Sequence, residues 1–201
     1  MRLFVIRWLV VVAAIFCLCA SAIAKPVAPS SSVKVDAYLT RIYKINPHDS
    51  SFRAIVWLAV TSKTKRPDIL GNITFVNAEQ QTSKFHYSKH NSDGTFTEYA
   101  KYHLTISHHF NLARYPFDSQ ILSLSIEDSQ HDITATNFVF APSGNQTDSI
   151  VAKDALPTGW KVMKVDPIIK THTYNTNFSH FDRALVSRFS QLNIRIFIKR
   201  H

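Results

Sequence analysis

The sequence predicts an all-β fold, an immunoglobulin-like β-sandwich of about ten strands. Three observations carry that expectation. Apolar residues recur at every second position in several segments, most clearly Phe52, Ala54, Val56, Leu58 and Val60. Turn-forming clusters separate these segments, among them Asn46-Pro47-His48-Asp49-Ser50-Ser51 and Asn91-Ser92-Asp93-Gly94. No stretch after residue 24 keeps a helical period, and neither an internal repeat nor a glycine-rich phosphate loop is present.

The N-terminus reads as a targeting segment. Arg2 and Arg7 form a positive start, Trp8–Ala20 is an apolar run of thirteen residues, and Ala22-Ile23-Ala24 is a small-residue cleavage site. The run is short for a membrane span, which needs about 20 residues. Residues 1–24 are therefore expected to be a signal peptide, with export across the inner membrane to the periplasmic or extracellular face. Both cysteines, Cys17 and Cys19, lie within it. The chain from Lys25 has no thiol, so its stability must come from its core. The formal net charge is +9, of which two charges belong to the leader arginines. The remaining positive residues are dispersed singly through strand-like segments, which fits a solvated basic surface and not a nucleic-acid interface.

In chain order, Lys25–Ser32 is a Pro/Ser-rich linker, and residues 33–201 form one domain. Val33–Ile45 alternates through Val33, Val35, Ala37 and Leu39 and then shifts register; with Phe52–Val60 it makes a hairpin. Phe85–Ile106 carries a second hairpin around Asn91–Gly94. Leu104 and Ile106, then Leu122, Leu124 and Ile126, flank the segment His108–Leu122, whose centre is the proline turn Tyr115-Pro116-Phe117-Asp118. Asn137–Ala141 is a short strand, Gly159-Trp160-Lys161-Val162 opens another with Trp160 in the core, and Ile168–Tyr174 pairs with Ala184–Ile198 across a polar tip.

The YPFDSQ run at Tyr115–Gln120 resembles the signature loop of the pentameric ligand-gated ion channels (the Cys-loop receptor family). The loop's two cysteine positions hold His108 and Leu122 here, which resembles the bacterial members that lack the bridge. The opening hairpin, Gly159-Trp160-Lys161-Val162, and Ser187–Arg200 (SRFSQLNIRIFIKR) are similar to further family segments in the same order. Trp57 stands near the family's second-strand tryptophan, without the aspartate two residues on. The step from Trp57 to Phe75 is eighteen residues, shorter than the family pattern, so one face of a subunit-interface pocket is expected to be rebuilt.

The resemblance implies an extracellular ligand-binding domain, a homopentamer, a small-molecule ligand bound between subunits, and a membrane part that this chain does not contain. Alternatives are a soluble secreted pentameric binding protein, or a periplasmic β-sandwich interaction module with no small-molecule ligand. The implied ligand-binding positions are Asn77, Glu79, Glu127, Asp128, Tyr174, Phe178 and Phe181. The acids could hold a cation by charge, or be solvated turn residues. The implied coupling positions are Tyr115, Pro116, Phe117 and Asp118 with Asp49 and Arg200, a guanidinium clamping two carboxylates.

No nucleophile elbow and no acid pair in a hydrolase setting is present, so the reading is not an enzyme and no cofactor is expected. Neighbouring strand residues point to opposite faces, so His108 and His109 cannot face one metal ion without a bulge, and no metal site is expected.

Overall fold

The structure, a computed structural model, describes residues 31–64, 69–141, 150–175 and 187–201. The expected signal peptide, most of the expected linker and most of the hairpin tip therefore lie outside the described residues. Nine strands are present among them: β1 (Ser31–Asn46), β2 (Ser51–Ser62), β3 (Ile73–Phe75), β4 (Ala78–His90), β5 (Phe96–Ser107), β6 (Ser119–Asp128), β7 (Thr136–Phe140), β8 (Trp160–Tyr174) and β9 (Ser187–Arg200). They form a five-stranded sheet in the order β4-β5-β2-β1-β7 and a four-stranded sheet in the order β3-β6-β9-β8. The two sheets pack face to face over one core. The fold is the expected all-β sandwich.

Alternation produces the core directly. Along β2 every second residue is buried, and Phe52, Ala54, Val56, Leu58 and Val60 face the opposite sheet. Leu122, Leu124 and Ile126 of β6 and Leu192, Ile194, Ile196 and Ile198 of β9 answer from the other side. Each such Val, Leu, Ile or Phe side chain contributes about 1.5–3 kcal/mol when fully buried. The register shift read in β1 is a bulge between Leu39 and Arg41, which turns Ile42 inward after Leu39.

Three sequence expectations change. Ser31 and Ser32, read as linker, belong to β1, because β7 runs parallel beside them and supplies backbone partners at Thr136 and Asn137. Gly159–Val162 and Ile168–Tyr174, read as separate pieces, are one strand of 15 residues. Pro167 is tolerated within it because β8 is a sheet edge, where only one side of the backbone must pair. Trp160 is only partly buried; it packs against the core and also meets the Arg200 guanidinium.

The shortened stretch after Trp57 crosses between the sheets. A single 3-10 turn, Leu70–Asn72, leads into the three-residue β3, which pairs with β6. β4 then returns to the first sheet as its outer edge, and every residue after Ala78 in it is exposed. At the β4–β5 turn Gly94 takes φ +80°, a conformation L side chains rarely adopt. The Asn91 amide donates to the Thr95 and Thr97 hydroxyls at 2.9 and 2.8 Å, bracing that turn.

Candidate functional site

One end of the sandwich gathers the β1–β2 turn, the loop 108–118, the start of β8 and the end of β9. The His108 N–H donates to Ser50 O at 2.7 Å, the Arg200 N–H to Asp118 O at 3.1 Å, and the His201 N–H to Gly159 O at 3.1 Å. Within the loop, Tyr115 and Phe117 are exposed, the Tyr115–Pro116 peptide is cis, and Asp118 is only 1% exposed. Two aromatic rings thus stand in solvent beside a carboxylate that is turned in.

Asp118 is held by two donors. Arg200 Nε donates to its Oδ1 at 2.7 Å, and Gln120 Nε2 to its Oδ2 at 2.7 Å. Burial alone raises the pKa of this carboxyl; the bonds from Arg200 and Gln120 outweigh it and hold the group below the usual carboxylate range. The Arg200 guanidinium lies 4.2 Å from the centroid of the Trp160 ring and 5.2 Å from that of Tyr115. It is therefore paired by charge and flanked by two π-faces.

The structure brings Asp118, Tyr115 and Arg200 together and leaves Asp49 out. Asp49 accepts from Asn46 Nδ2 at 2.7 Å and meets His48 Nδ1 at 2.8 Å, both in its own turn. Local donors satisfy this exposed carboxylate, and among the described residues it makes no ion pair with Arg200. The expected three-group clamp is a two-group clamp with aromatic flanks.

Gln120 is the residue that sequence reasoning missed here. Its side chain accepts from the Asn111 N–H at 3.1 Å and donates to Asn111 O at 2.8 Å, closing the loop across nine residues. An amide staple holds the loop in a domain whose residues 33–201 include no cysteine. The signal was present as the last residue of YPFDSQ.

A second cluster sits on the outer face of the four-stranded sheet. Glu127 is buried, and its carboxylate meets His172 Nδ1 at 2.5 Å, Gln191 Nε2 at 2.5 Å and the Tyr174 hydroxyl at 2.9 Å. The Tyr174 ring packs on His172 (4.3 Å) and edge-on to Phe189 (5.6 Å). Burial, with the carboxylate accepting its proton, pushes the Tyr174 phenol up to about 12. A buried acid walled by aromatic rings can take the ammonium group of a ligand in place of its present donors.

The other expected ligand positions do not join it. Asp128 points to the opposite face from Glu127, where it accepts from the Thr136 hydroxyl at 2.9 Å and from the Gln130 and His131 N–H groups at 3.0 and 3.2 Å. It braces the turn into β7. Neither acid is a solvated turn residue, since both are under 5% exposed. Asn77 is a strut: its amide donates to Ser123 O at 2.7 Å and accepts from the Ser125 N–H at 3.0 Å. Glu79 lies exposed on β4, and Phe178 and Phe181 fall outside the described residues. His172, Gln191 and Phe189 were missed, because only the β8–β9 register sets them beside Glu127.

Among the described residues no helix is long and apolar enough to cross a membrane, and no group of three or more His, Cys, Asp or Glu could hold a metal ion. In comparisons with known proteins, no family model and no curated protein matches the chain.

Proposed function

We propose that this chain is the ligand-binding domain of a channel of the pentameric ligand-gated type. It would be exported and assembled as a ring of five, with the Asp118–Arg200 end facing the membrane. The observation that carries this reading is the pair between buried Asp118 and partly buried Arg200, 82 residues apart in sequence. In that family the loop aspartate and the arginine at the end of the last strand sit together, as Asp118 and Arg200 do here. A loop and a strand end joined by a charge-assisted bond move as one body, which is what a transmitting end requires.

The Glu127 cluster is the ligand site on this reading. It favours a small primary amine, because a carboxylate ringed by Tyr174, Phe189 and His172 offers both charge and π-faces to a cation. Native mass spectrometry with electron microscopy on the exported chain tests the assembly. A five-subunit ring is expected, and a monomer at every concentration would instead favour an interaction module. Calorimetric titration with primary amines tests the site: binding should be lost in Glu127→Gln, and equal binding by that variant refutes the assignment.

A further inference from the structure

A cleft of about 410 Å³ opens between the first half of β8 and the segment 150–156. That segment takes over beside β1 where β7 leaves off. Val151 bridges Leu39 in parallel, the Ala152 N–H donates to Leu39 O at 2.9 Å, and the Ile42 N–H donates to Ala155 O at 2.7 Å. Because β8 is the edge of its sheet, no strand among the described residues closes the sandwich between these two elements. The floor is the buried pair Val151 and Val165, and the walls are Leu156, Trp160 and Val162, each partly buried.

The mouth has a different chemistry. Lys153 and Lys161 stand exposed at the rim, and neither makes an ion pair with another described residue. Lys164, also at the rim, is turned to Asp166 at 3.8 Å. Apolar walls below two exposed ammonium groups match a molecule with an alkyl body and an anionic head, and repel a cation. The volume lies within the range of small-molecule pockets, about 300–1,000 Å³.

We propose that this cleft binds a medium-chain carboxylate, its alkyl chain against Leu156, Val162 and Trp160 and its head between Lys153 and Lys161. Trp160 also carries Arg200 over its ring, so an occupant of the cleft touches the ring that flanks the clamp. The site rests on its own lining and does not depend on the channel reading; it stands or falls whether or not a ring forms.

The same ring is the reporter. In the full chain carrying Trp8→Phe and Trp57→Phe, Trp160 is the only tryptophan left of three. Titration with decanoate should change its emission saturably. Lys153→Gln with Lys161→Gln, both exposed positions, should weaken the response about three- to tenfold. Ala152→Phe, which fills the cleft, should abolish it, with circular dichroism checking that each variant is folded. Absence of a saturable change overturns the proposal. So does an equal response to decanol, or an unchanged affinity in the double lysine variant, since either removes the role of the anionic head. A response to phosphatidylglycerol vesicles without one to free decanoate also overturns it, and assigns the surface to a membrane.

Discussion

Replacing Arg200 by methionine isolates the clamp. The substitution keeps a long apolar stem for Trp160 and Tyr115 and removes the charge from Asp118, a carboxylate that is 1% exposed. Leaving a buried charge without its partner costs about 3–5 kcal/mol. Gln120 still donates to Asp118, and a quarter of the Arg200 side chain is exposed, so the lower half of that range, about 3 kcal/mol, is expected. With a urea slope of about 2 kcal/mol/M, the unfolding midpoint should fall by about 1.5 M. The pH dependence separates this cause from lost packing. Asp118 is depressed in the folded protein, so its contribution is present above the unfolded value near 3.8 and is lost as pH falls through the lower folded value. Without Arg200 its lowering bond and charge are gone, so the folded carboxyl is held less far down and the variant loses less than the parent as the acid protonates. The gap between parent and variant should therefore shrink from neutral pH to about pH 3. Urea melts followed by tryptophan fluorescence at several pH values measure it. A gap that stays constant over that range refutes the ion-pair account.

Gln120→Ala should free both Asn111 backbone groups and one Asp118 oxygen, costing about 2 kcal/mol and raising amide exchange at Asn111 in hydrogen-exchange mass spectrometry. Glu127→Gln removes the charge that helps hold the Tyr174 proton, so that phenol should titrate below its present value of about 12, read from ultraviolet absorbance against pH. Gly94→Ala forces a side chain into φ +80° with no steric neighbour within 4 Å, so a loss of about 1 kcal/mol in a thermal melt should reflect backbone strain alone. Leu124→Ala opens the centre of the core and should cost about 2–5 kcal/mol by the same melt.

The sandwich was readable wherever one face is buried and the other wet. β2 alternates without a break, and the slip in β1 was visible because two apolar residues fell out of phase. β4 was read only from Phe85 because it has no buried face; exposed polar strands leave no period-two signal. Pro167 hid the continuity of β8, since a proline marks a break unless the strand is known to be an edge. The Asp118–Arg200 pair could be anticipated from motif positions at the two ends of neighbouring strands. The partners of Glu127 could not, because which residues meet across β6, β8 and β9 depends on register, and a one-residue slip reverses every side chain. Asp49 shows the opposite limit: a turn that satisfies its own acid looks, in one dimension, like one offering it to a distant arginine.

The two long outer strands face the same hazard. Each leaves a row of backbone donors and acceptors bare, a template on which another chain can be laid down. β4 carries bulges between Ala78 and Gln80 and between Ser83 and Phe85, with Lys84 and Lys89 along it. β8 carries a bulge between Val162 and Lys164, Pro167, and lysines at 161, 164 and 170. These kinks and like charges deny a straight, neutral rim to any newcomer. The domain is thereby guarded against edge-to-edge polymerisation, and concentrated salt, which screens the lysines, is the condition under which that guard weakens first.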